Sequence, residues 1–189
     1  MNVEEELREL RTTVRYLKDR QEILDCIVRE SRGRDRHEAE LTASCYWPDG
    51  GDEHGPSVSP ATEYPELANK GHAAFFAANQ HNIANHSCEI DGDTAYCESY
   101  VVGGLLSLDE KTSKIAMGRY MDQMQRRNGE WRILNRRSTV EMVVEGDATW
   151  LASDAVKGFL RGTRDRSDVS YQRPIMSDGS GRRWQGAKA

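Results

Sequence analysis

Val3, Leu7, Leu10, Val14, Leu17 and Leu24 recur at alternating steps of four and three, with Gln21 interrupting the series. This heptad-like spacing predicts one long helix, or two nearly in line. The series is too short to demand a coiled coil, so its apolar stripe is expected to pack on the domain or on a neighbouring subunit. From Gln21 the apolar set shifts to Ile23, Leu24, Ile27 and Val28, and Gly33 predicts the helix end. A second short helix is expected over His37 to Tyr46, then a loop at "WPDGGDEHGP", where Pro and Gly oppose regular structure. Leu67 to Asn79, with Gly71 inside it, reads as one broken helix or two short ones.

The second half changes period. "HSCEIDGDTAYCESYVVGGLLS" reads as strand, Asp-Gly turn, strand, and "KIAMGRYMDQMQRRNGEWRILNRRSTVEMVV" repeats the form with Asn128-Gly129 at its turn. The polar "LDEKT" between them suits another hairpin. Consecutive strands on short turns make an antiparallel meander, and helices precede it. The expected fold class is therefore α+β, with helices closing one face of a curved antiparallel sheet over a small-molecule pocket. After Val144 the pattern decays: "WLASDAVKGFLRG" suits a short helix, and the tail from Thr163 is rich in Arg, Ser, Asp and Gly. That tail reads either as a partly disordered terminus or as an arm across another subunit, anchored by Trp184. The expected organisation is a helical arm over residues 1–16, the α+β domain over 17–145 and a C-terminal extension over 146–189.

Composition narrows the function class. A charged fraction of 30 % beside 37 % hydrophobic residues is ordinary for a globular chain. A net charge of −5 argues against nucleic acid as the main partner, which needs a dense basic surface. No apolar run approaches the roughly 18–20 residues that cross a membrane. "MNVEEELREL" lacks the apolar stretch of a signal peptide, so the expected location is the cytoplasm. The four cysteines show no CxxC pair and no zinc-ribbon spacing, and read as small core fillers. His81 and His86 are not spaced to share a helix face, so no metal site is expected. Nucleotide, flavin and metalloprotease motifs are absent, and any catalysis is expected to use side-chain acid and base without a cofactor.

Three positions carry candidate chemistry. Asp35 follows Val28 by seven residues, so at about 100° per residue it falls within ~20° of that position, and Glu30 bears the same relation to Ile23. A carboxylate on a core-facing stripe is costly unless paired, hydrogen-bonded or protonated. The alternative is a carboxylate just past the helix end, exposed or bonded to a neighbouring Arg32, Arg34 or Arg36. His81 reads either as a solvated histidine at a helix end or as a base whose tautomer a carboxylate fixes. Arg136, in "NRRS", interrupts an apolar strand. Alternation alone does not decide whether Arg136 or Arg137 faces inward, since a bulge swaps them.

"LKDRQEILDCIVRESRGRDRHEAELTASCYWPDGGDEHG", "HNIANHSCEIDGDTAYCESYVV" and "GRYMDQMQRRNGEWRILNRR", in that order, resemble the SnoaL-like branch of the nuclear transport factor 2-like superfamily. The resemblance runs from Leu17 to Met142. It implies a cone-shaped α+β barrel around a deep pocket, and a homodimer or homotrimer. It further implies lyase chemistry like that of hexachlorocyclohexane dehydrochlorinase, bile acid 7α-dehydratase and scytalone dehydratase, which act on hydrophobic ring compounds. Asp35 matches an aspartate that orients a proton-abstracting histidine, His81 matches that histidine, and Arg136 matches a pocket arginine. Glu30, His54, Tyr46, Asn85 and Tyr120 fall with the substrate-binding groups. Glu30 stands where relatives carry a Tyr or Lys, and an ionised Glu cannot donate to a leaving group as they do. It is expected to be protonated, bound to Arg136, or a second base. The expected activity is elimination of water, halide or an aldehyde such as formaldehyde from a small hydrophobic ring compound. The alternatives are isomerisation or hydration in the same pocket, or a non-catalytic ligand-binding or dioxygenase β-like subunit.

Overall fold

One helix occupies the first sixth of the chain. In the computed structural model, which describes residues 2–187, α1 runs unbroken over Val3–Asp35. Asn2 caps it: its side chain accepts from Glu5 N–H, and the Glu5 carboxylate accepts from Asn2 N–H, satisfying two otherwise orphaned donors. The first half of α1 stands free of the domain, and Leu10 remains 59 % exposed. Packing begins at Asp19, whose carboxylate accepts from Arg126 Nη1 at 2.8 Å and Trp131 Nε1 at 2.9 Å. Beyond it, Ile23, Cys26, Ile27, Glu30 and Arg34 face the sheet, a spacing of three and four that puts two charged residues on the buried stripe. Val28 is not on that stripe; it is 47 % exposed.

Gly33 does not end the helix. It lies inside α1 because a Cβ there would sit 2.4 Å from Thr42 Oγ1, so its bareness lets α2 (Ala39–Ala43) cross closely. The stop comes from His37, in the left-handed region at φ 53°. His37 N–H donates to Arg34 O and Glu38 N–H to Gly33 O, closing the last turn. The helix thus terminates just after Asp35.

The "WPDGGDEHGP" segment forms not a loop but strand β1 (Tyr46–His54), followed by β2 (Ser57–Pro60). Glycine is required in it: a Cβ on Gly50 would lie 1.8 Å from the Leu134 carbonyl oxygen. The helix expected up to Asn79 is α3 (Tyr64–Phe75), continuous through Gly71, and β3 (Phe76–Asp91) begins at once. His81 is therefore a strand residue. The meander follows as expected, with β4 (Thr94–Ser107), β5 (Thr112–Arg127) and β6 (Glu130–Ser138). Gly92 at φ 58° and the pair Asn128 and Gly129 at φ 54° and 83° make the turns. "STVEMVV" does not continue β6; β7 (Met142–Asp147) moves across to pair with the other half of β5.

The expected cone-shaped barrel does not form. Strand order is β2-β1-β6-β5-β4-β3, with β7 on β5 off that path, so the seven-stranded sheet is open, with β2 and β3 at its edges. It is mixed rather than antiparallel, because β1 runs parallel to β6. The sheet forks instead of wrapping: β5 gives Tyr120–Arg127 to β6 and Thr112–Met117 to β7. The strands beyond β6 extend from only one half of β5, so the sheet is neither closed nor strongly curved. Its core lies under α1, where Ile23, Ile27, Met124, Trp131 and Ile133 are buried with Cys26, Cys45, Cys88 and Cys97, all free thiols. None of the described helices is long and apolar enough to cross a membrane.

The described part of the C-terminal segment folds back over its own chain. Short 3-10 turns at Thr149–Ala152 and Asp154–Val156 replace the expected helix. Leu160 then bridges Arg183, and Arg161 lies over the Trp184 ring at 4.1 Å. Arg164 Nη1 donates to Phe76 O at 2.7 Å, and Arg36 pairs with Asp168 at 3.6 Å.

Candidate active site

The end of α1 and the start of β3 bring Asp35 and His81 together. Asp35 Oδ1 lies 2.7 Å from His81 Nδ1. The same carboxylate accepts the His81 backbone N–H at 3.1 and 2.9 Å and the Asn79 side-chain amide at 3.0 Å. Three donors from one strand thus fix the carboxylate, and an ionised Asp35 accepts a proton-bearing Nδ1. That tautomer leaves the Nε2 lone pair free as a base.

Burial pushes Asp35 up to about 6, against the pull of the His81 N–H and the Arg34 charge. Burial, reinforced by the positive Arg34, holds His81 below its ordinary value and so keeps the ring neutral. Near neutral pH the pair is a carboxylate hydrogen-bonded to a neutral imidazole, the state a general base requires.

Beside the pair lies a buried charge cluster. Arg136 faces inward, fully buried, while Arg137 turns out to Glu53. Arg136 stands in register with Asp52 on β1 and Asp122 on β5. It donates to both Asp122 oxygens at 2.6 and 2.9 Å and to Glu30 Oε2 at 2.6 Å. Its ionic hydrogen bonds are committed to protein carboxylates, with its guanidinium over the Tyr120 ring at 4.1 Å. Of the three expectations for Glu30, binding to Arg136 is the arrangement found. Tyr46 donates to Asp52 at 2.8 Å, and Asp52 is pushed up to about 6 by burial. His54 lies 3.8 Å from Asp52 and near the Tyr64 and Tyr120 rings.

Asn85 is not brought to this cluster; it is exposed at the irregularity in β3 between Ile83 and His86. Asn79 is the amide that meets Asp35, and sequence reasoning passed over it. Arg34, named only as a possible partner for Asp35, is 1 % exposed, with Nη1 donating to Tyr120 Oη at 3.0 Å. Its Nε atom and the Tyr64 hydroxyl are buried without hydrogen-bond partners, as is His72 Nδ1. The His72 ring lies 5.4 Å from that of His81. The signal for Arg34 was its place four residues after Glu30 on the stripe.

Asp35 and His81 also line a cavity of about 1130 Å³. Its other walls come from the ends of β4 and β5 and from the C-terminal segment. The large cavity is thus not the expected pocket between helices and a concave sheet. Away from it, His86, Cys88 and Cys97 place ligand-capable atoms within 4.8 Å of one another across β3 and β4, a grouping that linear spacing had not revealed.

A sequence profile of the SnoaL-like domain matches residues 15–137. No curated protein matches the chain's sequence. Among solved structures, hexachlorocyclohexane dehydrochlorinase LinA-type3 from Novosphingobium barchaimii superposes with a TM-score of 0.65 at 18 % identity, covering 71 % of this chain and 94 % of that one. Rv3472, a protein of unknown function from Mycobacterium tuberculosis, gives 0.61 at 25 % identity, covering 68 % and 75 %. Kfla4162 from Kribbella flavida gives 0.61 at 20 % identity, covering 68 % and 95 %. With its domain spanned by the profile and its fold shared with these structures, the chain belongs to the SnoaL-like domain family of the nuclear transport factor 2-like superfamily.

Proposed function

We propose that the protein is a cofactor-independent lyase acting on a small hydrophobic ring compound. The carrying observation is the 2.7 Å contact between His81 Nδ1 and an Asp35 carboxylate held by two further donors. Similarity in fold to a dehydrochlorinase, an enzyme that eliminates halide, supports the same class of reaction. His81 Nε2 takes a proton from carbon, and the electron pair left behind becomes the new double bond. The leaving group departs with its bonding pair, as halide or, once protonated, as water. Where the proton comes from a hydroxyl instead, the alkoxide collapses to an aldehyde. The pair of the carbon–carbon bond it breaks becomes the new double bond as the leaving group on the neighbouring carbon departs. The Tyr64 hydroxyl, buried without a hydrogen-bond partner, is assigned as the donor to the leaving group, with Arg34, ion-paired to Glu30 at 3.9 Å, beside its ring. Arg136 is assigned a positioning role, since Asp122 and Glu30 already hold it.

A panel of halogenated, hydroxylated and diaryl ring compounds, followed by mass spectrometry, tests this reading. Loss of hydrogen halide, water or formaldehyde is expected. An unchanged product mass would mean isomerisation, and no turnover across the panel would favour a non-catalytic subunit. The pH profile is a second check. Activity needs Asp35 ionised, and its value of about 6 is above the ordinary 3.8. kcat/KM is therefore expected to rise with pH through an apparent value near 6 and then level off. A rate flat through that region would show that Asp35 does not gate the base.

Assembly is part of the proposal. The exposed stripe of Val3, Leu7, Leu10, Val14 and Leu17 is read as a face that meets another copy of the chain. Leu10→Glu is expected to move the sedimentation coefficient from that of a dimer or trimer to that of a monomer. A wild-type protein that sediments as a monomer at micromolar concentration would refute this.

A further inference from the structure

The cavity beside Asp35 and His81 is asymmetric in charge. Its lining includes Arg32, Arg36, Arg161, Arg164, Arg182 and Lys114, against the carboxylates of Asp35 and Asp165. Four of the six cations are already engaged. Arg32 donates to Ser170 Oγ and lies over the Tyr171 ring. Arg36 faces Asp168, Arg161 pairs with Glu110, and Lys114 pairs with Glu145. Asp165 is turned to Ser167.

Arg164 is different. One of its nitrogens, Nη1, donates to Phe76 O at the start of β3. Its Nε and Nη2 atoms are buried and have no hydrogen-bond partner in the described structure. Burial holds this guanidinium below its ordinary value, opposed by the charge of Asp35. Two buried guanidinium donors without an acceptor, on a residue that lines the cavity, are costly unless an acceptor reaches them. Arg182 is exposed at the same cavity, with no carboxylate partner among the described residues. Val28, Leu106, Ile115 and Leu151 give the wall an apolar part, beside polar groups such as Asn79, Gln80 and Ser113.

We infer that the cavity takes a ring compound bearing an oxyanion group (a carboxylate, sulfate or phosphate), with Arg164 gripping that group and Arg182 drawing it in from solvent. The apolar wall carries the ring, and the planar fork of Arg164 suits two oxygens of one anion. The inference rests on the Asp35–His81 reading only for where the reacting carbon sits; recognition of the anion does not need it. Both arginines lie outside residues 15–137, so this recognition is an addition of the C-terminal segment to the family's domain.

Calorimetric titration of the full chain with phenylacetate, phenyl sulfate and phenyl phosphate, against neutral phenylacetamide, tests it. The anions are expected to bind at least about tenfold more tightly than the amide, the least that one charge-assisted hydrogen bond contributes. Arg164→Gln is expected to remove about ten- to a hundredfold of that affinity and Arg164→Lys to restore part of it. Arg182→Gln, at the exposed rim, is expected to weaken binding and flatten its dependence on salt. Should Arg164→Gln fail to fold by circular dichroism, Arg164→Lys and Arg182→Gln decide. Equal affinity for anion and amide, no detectable binding of any anion, or wild-type affinity in the variants would overturn the inference. Because binding is read without turnover, the two readings can fail separately. An inert enzyme that still ranks anion over amide sinks the lyase and keeps the anion site, and an active enzyme indifferent to charge does the reverse.

Discussion

His81→Ala is expected to lower kcat by about two to four orders of magnitude, the range contributed by a positioned general base. Substrate affinity should change little, because the apolar wall and Arg164 remain. Asp35→Asn is the more discriminating variant. Asn79 donates an amide to the Asp35 carboxylate, and so does the His81 backbone. An asparagine offers one carbonyl oxygen in place of two, and its own N–H₂ then faces donors or the imidazole. If it donates to Nδ1, the ring proton moves to Nε2 and the base is gone although the geometry survives. The expected loss in kcat is again at least about a hundredfold, and the acid limb of the pH profile should vanish with it. Full turnover in either variant, on a substrate the wild type converts, would sink the dyad.

The second large effect concerns stability. Arg136→Met leaves Glu30 and Asp122 buried without their shared cation, with Asp52 alongside in register. Breaking a buried pair from one side costs about 3–5 kcal/mol. For a chain of this size that corresponds to a fall in Tm of about 6–20 °C. Removing Glu30 at the same time should recover part of the loss, so the double variant Glu30→Met, Arg136→Met is expected to melt above Arg136→Met alone. If the two losses simply add in thermal melts, Glu30 and Arg136 are not the coupled unit that their 2.6 Å contact implies. The same melts separate roles: Arg136→Met should depress Tm strongly, whereas His81→Ala should leave it near the wild type.

Local chemistry made the meander from β3 to β6 legible, because its turns rest on Asp-Gly and Asn-Gly pairs. β1 was hidden by the same rule applied too literally. Pro48, Gly50 and Gly51 look like loop residues, yet Gly50 is bare because the Leu134 carbonyl crosses it. That contact joins segments more than eighty residues apart, and no local pattern reports it. The helix end was misplaced for a similar reason, since Gly33 serves the passage of Thr42 and His37 makes the stop.

In the site, the family resemblance singled out Asp35, His81 and Arg136, whereas the residues alone left each with a surface alternative and did not say what each touches. Asp35 shares a face of α1 with Val28, as the spacing predicts, but that face lines the cavity rather than the core. Val28 is largely exposed, and Asp35 is covered because β3 passes beside the helix end. Pairing of Arg136 with Glu30 was among the expectations, but its second carboxylate, Asp122, was not, because that contact depends on strand register. The closed barrel was inferred from the resemblance, whereas the fork at β5 arises where the chain leaves β6 after Ser138. A Cβ on Gly118 would lie 1.9 Å from the Thr139 carbonyl oxygen there.

The return of the C-terminal segment over the end of α1 and the start of β3 builds the cavity from two stretches, one within residues 15–137 and one beyond them. His81 and Asp35 come from the matched domain, while Arg161, Arg164 and Trp184 come from residues beyond it. Change in that tail is therefore expected to retune what enters without disturbing the Asp35–His81 pair. A tail exchanged between relatives would transfer selectivity as a module, much as an antibody loop does on a constant frame.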